Sequence, residues 1–430
     1  MYMKNFNLPN LAVYASLGFI FATVLPNAIA LKYVFSGLML ITLVLQISKK
    51  QLSFPKANLL TISFMALVLI AALSAVLSPL NADALNNLRK DTLPFLLAFV
   101  LLSCQSDERQ GLQRNRVMAV WALISGYAIK EMLAVRDGIA NNFVFSIYET
   151  ANNQLPKYLD FFATDTILYL PFLLPVLLFW PLKFWQRVLL LIVTATALIM
   201  VTISGVRATF LAAVILVAAL LFVRFWSKKW LMLAAVLVLA VSAYAIKDHV
   251  TNPSIARYYT IFSKGTYQFG SDGSVSERKA IIKAVWEISS ERLWIGYGPG
   301  WKKLPVVAQE RGYMARWQAS TDPMDEWAYR YFSYGEGRVN PHNLYMQLLF
   351  EVGVPGLLAY AALVLSLMFA GFKHWVRGGG AMVKSMGVAT ILYVGVYAVT
   401  GMAGGVWLPI SLLILMLWAL DEKNTPHSAR

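Results

Sequence analysis

Residues 340–372 read NPHNLYMQLLFEVGVPGLLAYAALVLSLMFAGF, and their second part, 353–372, carries no charged side chain. A run of that length wound as a helix crosses the roughly 30 Å hydrocarbon layer of a bilayer. Just ahead of it, His342-Asn343 sits where a long polar segment re-enters a chain that is otherwise almost all apolar. Such a junction is where lipid-borne substrates meet water. Asn340-Pro341 reads as an N-cap followed by a proline at the first helical position, which places His342 in the first turn of a helix. Near that positive helix end the imidazolium is disfavoured, leaving a neutral ring able to accept a proton at pH 7. The competing reading is a histidine that merely satisfies its own helix end.

The same apolar signature recurs along the chain. Of its 430 residues 58% are hydrophobic and 14% charged, with a mean hydropathy of +0.59, a composition that a soluble domain could not bury. The apolar runs are 8–24, 28–47, 59–77, 88–104, 117–133, 166–180, 188–203, 208–223, 230–246, 353–372, 386–399 and 406–420. They predict an all-α polytopic membrane protein of about twelve transmembrane helices, with nine in 1–246, one long outward loop in 247–341, and three more with a cytoplasmic tail in 342–430.

Basic residues orient these spans, since Lys and Arg near span ends are retained in the cytoplasm. They cluster at alternate connections, as in Lys49, Lys50 and Lys56, or Arg224, Lys228 and Lys229. Both termini are then cytoplasmic and the first span stays in the membrane without a cleavable leader. The formal charge of +15 is mostly this topological signal and not a nucleic-acid footprint. The single cysteine, Cys104, excludes an intrachain disulfide or a cysteine metal site. With this orientation Lys32, Arg89, Lys90, Asp91, Lys130, Glu131, Arg207 and Glu351 all fall near outer span ends. Transporters and channels need polar groups near the midplane, so the pattern favours a site at the outer leaflet boundary. Snorkelling is the alternative for Lys32 and Lys130.

The outward loop is too long and too rich in Trp and Tyr for a linker. Within it, Ser274-Val275-Ser276-Glu277 fits a capping box, and helical periodicity continues to about Ser289. On that helix Arg278 reads as lying near the centre of the apolar stripe formed by Ile281, Ile282, Val285 and Ser289. An inward guanidinium needs an anion, either a substrate or a loop carboxylate such as Asp272 or Asp325. Gly296-Tyr297-Gly298-Pro299-Gly300 reads as a compact turn, structural in preference to phosphate-binding because no Lys-Ser/Thr follows at phosphate-loop spacing. The charged tract 317–338 reads as the solvated top of the loop. No Asp-x-Asp element, His-Glu-x-x-His motif or Gly-x-Ser-x-Gly elbow occurs, so the expected chemistry uses no metal and no cofactor.

These residues resemble the O-antigen ligase and polymerase superfamily of bacterial inner-membrane glycosyltransferases. Its ligase branch looks like His-[Asn/Ser/Gln], nine residues, then Gly-x-x-Gly, met by His342-Asn343 and by Gly353 and Gly356. An Arg-x-x-x-Leu element at an outer span end is similar to Arg207 to Leu211, and a loop arginine ahead of a Trp and a Pro/Gly turn is similar to Arg278, Trp286 and the Gly296 to Gly300 turn. The motifs cover the second half of the chain; the likeness in topology covers all of it.

The resemblance implies a glycosyltransferase of the C-type membrane class, moving a glycan from undecaprenyl diphosphate to the outer-core sugar of lipid A-core. The reaction would run on the periplasmic face, metal-free and with inversion. It implies His342 as general base and Arg207 and Arg278 on the diphosphate, with Arg89 and Lys90 as further phosphate contacts or interfacial anchors. Three alternatives stand beside it: a polymerase of the same superfamily, a protein O-oligosaccharyltransferase, and a non-enzymatic flippase for lipid-linked glycans.

Overall fold

The computed structural model describes residues 8–25, 28–52, 58–103, 109–143, 159, 162–204, 206–228, 230, 273–334, 339–377 and 381–400, and among them every regular element is helical. The first half comprises α1 (Leu8–Val24), α2 (Ile29–Ser48), α3 (Leu59–Val76), α4 (Asn81–Asn87), a π-helical turn (Leu88–Thr92), α5 (Leu93–Ser103), α6 (Arg109–Ala140), α7 (Phe162–Phe179), α8 (Phe184–Ile203) and α9 (Arg207–Arg224). Then follow α10 (Gly273–Ser290), α11 (Leu304–Glu310), α12 (Tyr313–Ala319), α13 (Pro323–Tyr334), α14 (Leu344–Arg377) and α15 (Ala381–Thr400).

Each expected apolar run falls on described helix except 230–246, of which Trp230 alone is described, and 406–420, which lies outside the described residues. Cys104, Lys56 and Lys229 lie outside them as well. Among the described residues, five helices are long and apolar enough to cross a membrane: Ile29–Ser48, Leu59–Val76, Val117–Ala140, Phe184–Ile203 and Leu344–Arg377. Their surfaces agree with that reading. On α2 only Met39, Thr42 and Gln46 are buried, while Val34, Leu40, Ile41 and Val44 are exposed. Apolar side chains arrayed this way would be an aggregation hazard in water and are at home against lipid.

Two cores result. The first joins the long helices: α14 packs against α3 and α15, α1 against α2 and α6, and α7 against α8, α9 and α15. The second belongs to the loop segment, where α10 packs against α13 and α14 around Ile281, Val285, Ile288, Trp317, Phe332 and Phe350. Trp317 is 1% exposed, with its ring set edge-on to Phe332 at 5.1 Å.

This corrects the reading of 317–338 as a solvated top. The tract's charges hid an amphipathic helix: Asp322 and Asp325 turn to Lys283 of α10 at 2.5 and 2.7 Å, and Glu326 pairs with Arg330 on the outside. Glu336 and Arg338 lie outside the described residues, as do Tyr258 and Tyr259. Helix α10 itself starts at Gly273, so Ser274 stands inside the first turn and not before it.

Candidate functional site

The site is organised by a break in α14. Gly353 has φ 65° and ψ −170°, a conformation that only glycine adopts readily, and Pro355 follows it. The half-helix 344–352 is thereby set off from the long apolar part behind it. Into the break fits the turn at 296–300: Tyr297 N–H donates to Phe350 O at 2.7 Å, Gly298 N–H to Glu351 O at 2.8 Å, and Val354 N–H to Leu293 O at 2.7 Å. A Cβ on Gly296 would lie 2.6 Å from the Glu351 carbonyl carbon, so this close approach of two backbones requires glycine.

The turn reads as structural, as its sequence suggested. Its carbonyls point inward to Lys303, whose buried ammonium donates to Tyr297 O, Gly298 O and Pro299 O at 2.7, 2.8 and 2.9 Å. Burial pushes Lys303 down to about 8, against the pull of Glu351 and Asp83. Ser78 Oγ donates to Tyr297 O at 2.5 Å and Ser74 Oγ to Glu351 O at 2.7 Å, which ties the same clamp to the end of α3. Neither Lys303 nor these serines carries a motif, and the reading of the sequence passed over them.

At the start of the half-helix the cap differs from expectation. Asn343, not Asn340, is the N-cap: its Oδ1 accepts from Tyr345 N–H at 2.9 Å and Met346 N–H at 3.1 Å. Asn340 closes a tight turn instead, accepting from His342 N–H at 2.8 Å. His342 therefore precedes the helix in a left-handed conformation, φ 48°, that is uncommon for a side-chain-bearing residue. Two asparagines competed for the cap, and Tyr331 decided between them. Its Oη accepts from Asn340 N–H at 3.2 Å and donates to Asn340 O at 3.3 Å, holding that residue out of the helix.

Tyr331 Oη also stands 3.2 Å from His342 Nε2. The imidazole ring keeps an edge open to solvent, yet its pKa lies below the ordinary 6.5, first through desolvation and then through the charge of Arg278. A lowered pKa is compatible with the neutral ring expected from the sequence, but its causes are desolvation and a cation in place of the helix dipole. Tyr331 is raised by burial, and so is Glu277, which Arg278 pulls back.

Arg278 is exposed, which corrects its placement at the centre of the apolar stripe. The buried stripe of α10 runs through Ala280, Ile281, Ala284, Val285 and Ile288. Arg278 flanks it, while Glu277 is half-buried. Asp325 is engaged by Lys283 and is not the partner of Arg278; Asp272 lies outside the described residues. The structure thus gathers His342, Arg278, Tyr331 and Glu277, of which the sequence had singled out the first two. Spacing alone offered no signal for Tyr331, because its contact with His342 arises from the packing of α13.

The remaining expected residues lie elsewhere. Arg89 and Lys90 fall in the π-helical turn, where Arg89 donates to Asn86 Oδ1 at 3.0 Å and Lys90 lines a cavity of about 630 Å³. That cavity is also bordered by Gln347 and Glu351 from the half-helix behind His342. Arg207 is the first residue of α9, whose neighbours are α7, α8 and α15. Gly356 lies on the far side of the break, crowded by Val352.

Fold and site together define a multi-pass helical membrane protein whose loop segment brings an arginine to a histidine beside a broken helix. A family model described as O-antigen ligase matches residues 191–361, from α8 into α14, a stretch that contains Arg207, Arg278, His342, Gly353 and Gly356. The match supports membership of the O-antigen ligase and polymerase superfamily, and with it an enzyme that handles lipid-linked glycans and a lipid acceptor. No curated protein matches the chain.

Proposed function

We propose that this protein is an O-antigen ligase that transfers a glycan from undecaprenyl diphosphate to lipid A-core at the periplasmic face of the bacterial inner membrane, with both termini cytoplasmic and 247–341 facing the periplasm. Neutral His342 takes the proton from the acceptor hydroxyl as its oxygen attacks the anomeric carbon. The bond from that carbon to the diphosphate oxygen breaks on the opposite face, so the configuration inverts and undecaprenyl diphosphate departs. Arg207 and Arg278 offset the charge that builds on the leaving diphosphate, while Arg89 and Lys90 are secondary contacts for a phosphate of donor or acceptor.

The observation that carries this reading is the setting of His342: left-handed, anchored through Tyr331, and kept below its ordinary pKa beside Arg278. A positioned imidazole that is neutral at pH 7 is able to accept the acceptor's proton. Deleting the protein is expected to leave long glycans on undecaprenyl diphosphate and lipid A-core uncapped. Lipid A-core capped with single repeat units in the deletion strain would instead identify a polymerase, and donor retained on the cytoplasmic side would identify a flippase.

A further inference from the structure

Three lysines from three separate elements converge on the 630 Å³ cavity: Lys32 of α2, Lys90 of the π-helical turn and Lys302 of the turn Trp301–Lys303. Asp91 and Glu351 line it too, and Asp91 lies within electrostatic reach of all three lysines, although among the described residues none of these pairs closes to ion-pair distance. Glu351 is instead held by Gln347 Nε2 at 2.9 Å. Three lysines against two carboxylates leave the cavity with a surplus of positive charge, which an anion bound between them would offset.

The lining divides by chemistry. Phe19, Ile29 and Phe95 from α1, α2 and α5 contribute apolar lining, while the loop contributes Lys302 and the Trp301 ring, which Lys302 overlies at 6.0 Å. Apolar walls, clustered ammonium groups and an aromatic face suit a phosphate that carries a sugar and is anchored in lipid. The π-helical turn adds a second observation, since such single-turn bulges recur at functional sites, and this one supplies Lys90 and Asp91 to the cavity.

We propose that this cavity binds the phosphate-bearing headgroup of a lipid-linked glycan, with Lys32 and Lys302 as recognition residues beside Lys90. Snorkelling, the sequence-level account of Lys32, leaves unexplained why Lys90 and Lys302 meet it at the same space. The assignment rests on the glycan-transfer reading for its ligand class and supplies what that reading lacks, a place for a second anionic lipid beside the one held near His342 and Arg278. Donor and acceptor share the required chemistry.

The test is binding, measured on the full chain in nanodiscs, of two probes in separate arms: undecaprenyl diphosphate and lipid A-core. The variants are Lys32→Ala/Lys302→Ala and the charge-preserving Lys32→Arg/Lys302→Arg. Affinity for one probe should fall on the order of tenfold or more in the alanine variant and recover in part with arginine, and the affected probe names the occupant. Unchanged binding of both probes in an alanine variant with wild-type melting would overturn the proposal, as would an equal loss for a phosphatidylglycerol probe. Because the readout is binding, a wild-type protein that binds a probe in this cavity yet transfers no glycan would sink the function and spare the site.

Discussion

Replacing Gly353 with alanine tests whether the break in α14 is a fitted joint. A Cβ there would lie 2.6 Å from Leu293 O, 2.8 Å from the Trp294 carbonyl carbon and 2.9 Å from Ile295 N, all of them backbone atoms that no rotamer change can move aside. The backbone conformation costs about 1–3 kcal/mol for a residue with a side chain, and the collision about 1–3 more, so the sum is roughly 2–6 kcal/mol. Gly312, in the ordinary left-handed region at φ 74° and ψ 9° with nothing within 4 Å of its Cβ position, should show only the milder cost of that conformation and no collision. Gly37 in α2, with neither strain nor neighbours, should tolerate alanine or gain slightly from it. Thermal unfolding of the detergent-solubilised protein, followed by tryptophan fluorescence, should rank the variants Gly353→Ala well below Gly312→Ala, and that below Gly37→Ala. Transfer should fall with Gly353→Ala, because the clamp holds the half-helix that follows His342. A Gly353→Ala protein that melts with wild type, or no lower than Gly312→Ala, would refute the joint.

Other expectations follow from the site. Because His342 must be neutral to accept a proton and its pKa is depressed, kcat/KM should rise with pH along a limb whose midpoint lies below 6.5, and Arg278→Gln should move that midpoint upward; an unmoved limb would remove Arg278 from the electrostatics of the ring. Tyr331→Phe should lower kcat by about tenfold with less effect on KM, by freeing the ring that its phenol holds; a change confined to KM would argue against a positioning role. Turnover should be unchanged by EDTA, and a loss restored by magnesium or manganese would contradict a metal-free reaction. Arg278→Lys should recover donor binding only in part, since ammonium lacks the planar fork of guanidinium, and full recovery would show that charge alone is read there.

Much of the fold was legible because a bilayer imposes a simple requirement: length and apolarity without charge. The ends of α1 and α3 lie within one residue of the runs read from the sequence, and α8 starts about a turn earlier than its run. The break at Gly353 was legible as a motif, although its purpose, the seating of the Gly296 to Gly300 turn, depends on contacts between distant segments. The candidate base was legible in position but not in setting. Asn340 and Asn343 are equally good caps by local rules, and only the arrival of Tyr331 from α13 chooses. Arg278 was read one step too deep because a stripe judged from four residues tolerates an error of some tens of degrees, enough to exchange a flank for a centre. The convergence of Lys32, Lys90 and Lys302 was beyond sequence patterning, since three helical segments far apart in the chain must pack before they share a space.

The most direct test of the account compares His342→Ala with wild type in proteoliposomes supplied with lipid-linked glycan and lipid A-core. Removal of a general base predicts turnover reduced by about a hundredfold or more, with donor binding and melting temperature unchanged. Turnover near that of wild type in a folded, donor-binding variant would contradict the assignment of His342 as the base.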